Sequence, residues 1–392
     1  MRVGIDATCW ANGRGYGRFT REIVTAMAHS APDVQFTCFL DPKSAACFDL
    51  RAPNVEQVVV TTSVAPSEAA SATGNRSLRD MLRMSRAVAR ERLDVFFSPS
   101  VYTYFPLPPR LPAIVTIHDA IAERFPELTL PSRRARLFWR LKTWVALRQA
   151  RKILAVSSYA AREVSRVHRV PLERIAIAVE APSRAYKPSK DSKAIAEAAE
   201  AVGVPANGAW FTYVGGFNPH KNVPAIIRAH ARLAREMGTR APYLLLIGTL
   251  DADVFHGDQA AIRIAIDAAQ TSALVRWTGF VEDDRLALLH AGAIALLLPS
   301  ESEGFGLPAV EAAACDTPVI STKESPLPEL LEGGGIFIGP NDETALLSAM
   351  RRLATDSALR SEMGARAGVR ARALSWEHAA EACLVAIREV AA

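Results

Sequence analysis

Glu303 and Glu311 frame the segment of this 392-residue chain with the most chemical content, Ser302-Glu303-Gly304-Phe305-Gly306-Leu307-Pro308-Ala309-Val310-Glu311. An apolar run from Ile294 to Leu298 precedes it and reads as a buried strand. Pro308 then stands at a first helical position, ahead of the helix-forming run Ala309 to Cys315. A strand, a glycine-bearing loop and a helix start make a seat for an anion, because free backbone N–H groups and the helix dipole both favour phosphate. Carboxylates do not bind phosphate, but they accept hydrogen bonds from sugar hydroxyls. Phosphate donors between two hydroxyl acceptors suit a sugar nucleotide. An ordinary turn with solvated glutamates would need two glutamates, two glycines and a proline to coincide.

Other strand ends carry weaker signals. Val214-Gly215-Gly216-Phe217-Asn218-Pro219-His220-Lys221-Asn222 follows an apolar run and opens a helix, so Lys221 is a cation near a helix start and Gly216 permits close approach of a ligand. Alone, a surface lysine fits as well; paired with the 302–311 segment on one sheet, a pyrophosphate site fits better. Thr116-Ile117-His118-Asp119 ends another strand. His118 there suits a sugar hydroxyl or a proton transfer, though a structural histidine is the commoner fate. Asn12-Gly13-Arg14-Gly15-Tyr16-Gly17-Arg18 is a glycine loop that departs from the Gly-x-Gly-x-x-Gly fingerprint and lacks a Walker lysine, which disfavours nicotinamide and ATP. A plain loop and a ligand loop fit it equally. Thr278 to Asp284 is a further strand-end loop, with backbone groups at Val281 able to meet a base edge. Asp251-Ala252-Asp253 reads as a solvated turn, and no metal is assigned.

Two βαβα series must position these residues. Val3–Ala7, Gln35–Leu40, Gln57–Thr61, Val95–Ser98, Ala113–Ile117 and Lys152–Val156 read as strands in the first half, with helices over Gly17–Ser30, Leu78–Glu91 and Ser132–Ala150. In the second half Trp210–Val214, Tyr243–Ile247, Val275–Thr278, Ile294–Leu298 and Val319–Ser321 are strands. Helices there cover Val223–Glu236, Gln259–Gln270, Glu282–Ala291, the run after Pro308, and Glu343–Thr355. Such alternation indicates two parallel, doubly wound sheets, with ligands beyond the strand C-termini. The polar, proline-bearing stretch Pro182 to Lys190 reads as the linker, and Thr61 to Ser77 as a surface loop.

A length of 392 residues suits two domains, and 49% hydrophobic content supports their cores. The chain opens on a strand rather than a leader, and its apolar runs are too short to span a bilayer. Cys9, Cys38, Cys47, Cys315 and Cys383 have no metal or redox spacing and read as reduced thiols of a cytoplasmic protein. The net charge of +5 hides an asymmetry: residues 1–190 carry 29 Lys and Arg against 16 Asp and Glu, and the remainder is acidic. A basic first half suits anionic lipid, a phosphate-bearing acceptor or its own acidic half. No nucleic-acid module accompanies the charge. Within the helix from Ser132, the apolar set Leu137, Phe138, Leu141 and Val145 falls near one face among arginines. Packing of that face on its own sheet is the expectation. A membrane-surface helix is the alternative, kept because Trp139 and Trp144 accompany the basic residues.

Together these residues resemble the retaining glycosyltransferases of family 4, which have the GT-B fold, and are similar to its bacterial mannosyltransferases. The likeness runs from Val3-Gly4-Ile5-Asp6 to Ser375-Trp376-Glu377 and is strongest from Val214 to Pro340. It implies an α/β chain of two Rossmann-like, doubly wound parallel-sheet domains facing a central cleft. An acceptor-side domain would cover residues 1–185, and a nucleotide-sugar donor domain residues 190–374. A last helix, 376–392, would cross back onto the first domain. Glu303 and Glu311 reproduce the family's Glu-x7-Glu signature. The resemblance implies Glu303 on the transferred sugar and Glu311 on the ribose hydroxyls, with amides at Gly304, Phe305, Gly306 and Leu307 along sugar and phosphates. His118 looks like the histidine that meets the donor sugar, Lys221 like the lysine on the diphosphate and Val281 like the base contact. Gly15 and Gly17 look like the first-domain glycine loop. His118, Lys221 and Glu303 form the implied catalytic set.

The implied reaction moves a sugar, mannose as first candidate, from a nucleoside-diphosphate sugar to an acceptor hydroxyl with retention. The acceptor would be a glycan, a lipid-linked or a small molecule. No metal or cofactor is implied, because Lys221 and the helix start at Leu307–Pro308 can stabilise the leaving diphosphate. A cytoplasmic enzyme peripheral to the inner face of the plasma membrane follows. One position departs: the family usually has arginine where this chain has His220. The expectation is that bound diphosphate raises the His220 pKa and restores a cation. A non-catalytic sugar-nucleotide-binding protein and a nucleotide-sugar epimerase on the same fold are the alternatives. The glutamate pair argues against the epimerase.

Overall fold

Two parallel sheets organise the molecule. The computed structural model describes all residues except 14, 67–76, 131 and 249–257, so Arg14, Asp251, Asp253 and most of the expected Thr61–Ser77 loop lie outside the described residues. The chain divides into two compact units, Met1–Glu180 with Ser375–Ala392, and Ala181–Leu374.

In the first unit the strands are Arg2–Asp6 (β1), Gln35–Leu40 (β2), Val55–Val59 (β3), Val95–Ser98 (β4), Ala113–Thr116 (β5), Lys152–Ala155 (β6) and Ile175–Ile177 (β7). Their order is β3-β2-β1-β4-β5-β6-β7, every neighbouring pair parallel. In the second unit Trp210–Val214 (β8), Tyr243–Ile247 (β9), Val275–Gly279 (β10), Leu296–Leu298 (β11), Val319–Thr322 (β12) and Gly335–Ile338 (β13) run β10-β9-β8-β11-β12-β13, again all parallel. Helices cover both faces of such sheets, so central strands read as unbroken apolar runs: Leu244, Leu245 and Leu246 in β9 are buried one after another. These are the two Rossmann-like units of the GT-B fold. Strand order reverses between β1 and β4 in one sheet and between β8 and β11 in the other. Each reversal opens a crevice at the strand C-termini, where α/β sheets hold ligands.

Several boundaries differ from expectation. The third strand sits two residues earlier than Gln57–Thr61. Only Leu296–Leu298 of the Ile294–Leu298 run is strand, although the Ile294 N–H still bonds the Trp210 carbonyl at 2.8 Å. The stretch 181–190 is not a free linker. Tyr186 is buried in the second unit, its hydroxyl donating to Asp283 Oδ1 at 2.9 Å, and one such anchor folds an otherwise polar segment onto its neighbour. The last helix, Trp376–Ala391, is part of the first unit. Ser375 caps it through the His378 N–H at 3.2 Å, Trp376 meets the Phe19 ring edge-on at 6.0 Å, and Arg151 Nη1 donates to the Val390 carbonyl at 3.1 Å. No helix among the described residues is long and apolar enough to cross a membrane.

Candidate active site

The crevice between β8 and β11 gathers the strongest sequence candidates. β8 ends in the loop of Gly215 and Gly216, which turns through the short helical piece Pro219–Lys221 before the helix Val223–Met237. Tyr213 pins this loop, its hydroxyl donating to the Gly216 carbonyl. β11 ends in Pro299-Ser300-Glu301-Ser302-Glu303. Because the two strands are neighbours in the sheet, residues 82 apart in sequence meet: Lys221 Nζ lies 2.7 Å from Glu303 Oε1. Ser300 Oγ donates to the same oxygen at 2.5 Å, and the Glu303 N–H bonds the Glu324 carbonyl at 3.0 Å. The Glu301 N–H donates to the His220 carbonyl at 2.8 Å, and Asn341 bridges Glu301 Oε1 at 2.6 Å and Asn222 at 3.2 Å. The two strand-end loops therefore form one braced unit.

Glu303 is 7% exposed and the Lys221 side chain 19%. A carboxylate this buried is held as an ion pair with charge-assisted hydrogen bonds, whose strength rises as water is removed. From Glu303 the chain passes through Gly304 and Phe305 to the helix Leu307–Ala314, with Pro308 in its first turn. Gly306 is the N-cap, at φ 86°, and a Cβ there would stand 2.8 Å from Leu327 Cδ1, so glycine is required on two grounds. The helix start has no side-chain cap; Pro308 carries no N–H and the Ala309 N–H already bonds the Gly306 carbonyl at 2.9 Å, so what it offers an anion is the Leu307 N–H and the positive end of the helix dipole. Glu311 lies on the second turn of this helix and is buried. Its negative charge helps, after burial itself, to push the Cys315 thiol up to about 12.

His220 differs from the expected replacement cation. It is 2% exposed, and burial, followed by the Lys221 charge, holds its pKa well below the ordinary histidine value. The ring is neutral, and a bound diphosphate would have to overcome both effects to protonate it. Val281 follows β10 and is buried, beside exposed Phe280. β10 lies two strands from β8, about 10 Å away.

The remaining candidates belong to the first unit. Gly15 and Gly17 are not loop residues but the first turn of the helix Gly15–Ser30, which starts earlier than expected. Gly17 packs so closely that a Cβ would fall 2.1 Å from the Asn12 carbonyl oxygen, so its glycine answers to packing. His118 follows β5, with its ring edge-on to Phe19 at 4.9 Å. Nε2 lies 3.0 Å from the Pro99 carbonyl oxygen and Nδ1 3.4 Å from Glu180 Oε1. A carbonyl only accepts, so Nε2 is the donor to Pro99, and Nδ1 faces the buried Glu180 carboxyl. Both ring nitrogens are thus engaged. Sequence reasoning missed Glu180 and Ser300. Glu180 had a signal, being an acidic residue in a buried apolar run; Ser300 had none. Among the described residues no group of three or more His, Cys, Asp or Glu is spaced to hold a cation.

Comparison with known proteins bears on the family and the fold. Residues 13–178 match the family Glycosyltransferase Family 4, and residues 195–370 match Glycosyl transferases group 1. The O-antigen chain mannosyltransferase B of Escherichia coli is 29% identical over 286 residues, covering 72% of this chain and 71% of that protein. D-inositol 3-phosphate glycosyltransferase of Kineococcus radiotolerans is 32% identical over 200 residues, 48% of this chain, and the match spans 46% of that protein's length. Among solved structures, sucrose-phosphate synthase from Thermosynechococcus elongatus superposes with a TM-score of 0.75 at 19% identity, covering 99% of this chain and 98% of that one, which speaks for the fold alone. The chain belongs to glycosyltransferase family 4.

Proposed function

We infer that this glycosyltransferase uses a nucleoside-diphosphate sugar, retains anomeric configuration and needs no metal. The observation that carries the reading is the Lys221–Glu303 pair beside the uncapped helix start at Gly306–Leu307, in the crevice between β8 and β11. A cation and the positive end of a helix there suit a leaving diphosphate. In an oxocarbenium-like transition state negative charge grows on that group, so preorganised positive charge lowers the barrier directly. Lys221 is assigned to the diphosphate, and Glu303 to the transferred sugar. Glu311 takes the ribose hydroxyls, the amides of Gly304 to Leu307 follow sugar and phosphate, and Val281 meets the base. No side chain in the crevice stands out as a covalent nucleophile, which favours front-face attack, with the leaving phosphate oxygen taking the acceptor proton. His118 is retained as a group acting on the sugar by family resemblance. Mannose is the first candidate sugar, supported by the Escherichia coli mannosyltransferase match. The acceptor side is assigned to the basic first half, whose charge suits a glycan or lipid-linked acceptor and peripheral contact with an anionic membrane on the cytoplasmic side.

A thermal-shift panel of UDP-, GDP-, ADP- and dTDP-sugars tests the donor class, with stabilisation by GDP-mannose expected. Transfer to acceptor in the presence of a chelator, and the anomeric configuration of the product by NMR, test the rest. Inversion, or activity lost on chelation and restored by a divalent cation, would overturn the corresponding part. Binding without turnover would favour a non-catalytic sugar-nucleotide-binding protein.

A further inference from the structure

The helix Arg133–Gln149 turns the opposite way from the expectation its sequence raises. Trp139, Thr143 and Ala146 face inward, while Leu137, Phe138, Leu141 and Trp144 are 69%, 41%, 56% and 58% exposed. The inward face is firmly tied. Trp139 Nε1 donates to Glu123 Oε1 at 2.7 Å, Lys142 Nζ to the Tyr102 carbonyl at 3.2 Å, and Gln149 exchanges two 3.0 Å bonds with the Leu107 backbone. Ser132 caps the start through the Ala135 N–H at 3.1 Å. The helix therefore cannot roll its large apolar residues inward without breaking these bonds.

At 3.6 residues per turn Leu137, Leu141 and Trp144 share one sector, with Phe138 at its edge. Arg133 and Arg134 stand exposed at one end of the helix, Arg148 at the other and Arg140 on a flank, and the helix has no acidic residue. Arg148 lies over the Trp144 ring at 5.6 Å. A second helix fastened to the same 104–107 segment, Leu78–Arg90, through Ser85 Oγ to the Pro106 carbonyl at 2.5 Å, exposes Leu78 and Leu82 among arginines.

We propose that the outward face of Arg133–Gln149 is a membrane-docking surface for a bilayer bearing anionic headgroups. This deepens the membrane contact proposed above and is independent of the donor chemistry. Four bulky apolar side chains in water carry a cost that burial at the acyl boundary removes. Tryptophan favours that interface, and arginines at both ends reach headgroup phosphates. A second copy of the chain fits worse, because it would bring like-charged arginine ends towards one another. Nucleic acid would use the arginines but leave Leu137 and Leu141 against phosphate.

The test is flotation of the full chain with phosphatidylcholine vesicles, with or without phosphatidylglycerol as about one lipid in three. Binding to the anionic vesicles alone is expected, released by about 1 M salt, where screening shortens to about 3 Å. Leu137→Ser, Leu141→Ser and Trp144→Ser combined should weaken binding by at least about tenfold, and Arg133→Gln, Arg134→Gln and Arg148→Gln should abolish the anionic preference. Both variants should keep the wild-type circular dichroism and donor-induced thermal shift, which separates failure here from failure of the donor reading. As a measurement on the unaltered surface, the tryptophan fluorescence blue shift on anionic vesicles should diminish in Trp144→Phe. No flotation of the wild type at low salt overturns the proposal. So does equal binding by wild type and serine variant, or a wild-type dimer in sedimentation that the serine variant dissolves.

Discussion

Replacing Lys221 with methionine should separate stability from catalysis. Removing one partner of a buried ion pair costs about 3–5 kcal/mol when the other charge is left uncompensated. Lys221 retains 19% exposure, and Ser300 still donates to Glu303, so a value at or just below the lower end of that range, about 2–3 kcal/mol, applies here. A domain of this size loses about 2–4 °C of melting temperature per kcal/mol, so the second unit of Lys221→Met should melt about 4–12 °C lower than the wild type. Adding Glu303→Gln removes the stranded charge while keeping an acceptor for Ser300, and should return stability to within about 1 kcal/mol of the wild type. Catalysis should not follow. Loss of a preorganised charge at the leaving group costs about 10²–10³ in kcat, and the double variant does not restore it. Melting by circular dichroism without donor, and release of nucleoside diphosphate at saturating donor and acceptor, read the two effects. A double variant no more stable than Lys221→Met would refute the pairing argument. A Lys221→Met enzyme with unchanged kcat would refute the leaving-group role.

Other residues make further tests. Burial holds His220 well below the ordinary histidine value and His290 at about 3, so both are neutral when folded and take up protons on unfolding. Folded pKa values lowered in this way give stability that is complete above the unfolded value near 6.5 and is lost as pH falls below it, by about 1.4 kcal/mol per pH unit per histidine. Urea midpoints between pH 7.5 and 5 should show this slope, and His220→Gln should reduce it; an unchanged slope counts against a neutral His220. Glu123 is shifted in the opposite sense, with burial lifting it to about 7 against the bond from Trp139. Stability is lost as pH rises from the unfolded value towards 7, so Glu123→Gln should stabilise at pH 8 and do little at pH 5. An equal effect at both would contradict the shift. Gly306→Ala should lower the urea midpoint, because a left-handed alanine costs about 1–2 kcal/mol before Leu327 has moved. It should also blunt the donor-induced thermal shift, and a neutral result would mean that the turn adjusts freely.

What the sequence made legible follows from burial. β2, β8 and β9 have their expected bounds because strands covered on both faces are predominantly apolar runs, broken here only by Gln35, Thr37 and Thr212. β7, Ile-Ala-Ile, and β13, Gly-Ile-Phe-Ile, were not expected: short edge strands of this kind show neither length nor alternation. The helix from Arg133 was legible as a helix, but its orientation was not. Its buried stripe is Trp139, Thr143 and Ala146, and hydrophobicity alone selects the outward leucines instead. Within the site, Glu303 was legible from its own loop, and Lys221 only when paired with that loop on one sheet. Their contact was not, since it depends on β8 and β11 being neighbours across a reversal in strand order. His220 illustrates the converse, a polar residue whose type suggests exposure and whose surroundings deny it.

The resting contact between Lys221 and Glu303 bears on how the proposed donor is distinguished from its own leaving group. Glu303 neutralises Lys221, so the site is less positive than its lysine suggests. On the proposed reading, a diphosphate that drew Lys221 away would strip Glu303 of its cation and leave the carboxylate with the Ser300 hydroxyl alone as a side-chain donor. A nucleoside diphosphate without a sugar offers nothing in return, and a buried carboxylate short of donors is expensive. A sugar still attached brings hydroxyls to the same place. The exchange of partners is therefore completed only by the intact donor. On that reading, once the sugar has left with the acceptor, Glu303 would compete again for Lys221 and the spent diphosphate would be held less tightly. One ion pair so arranged favours the substrate over the product without a separate recognition element, which is how binding energy is best spent in a site that must release what it has made.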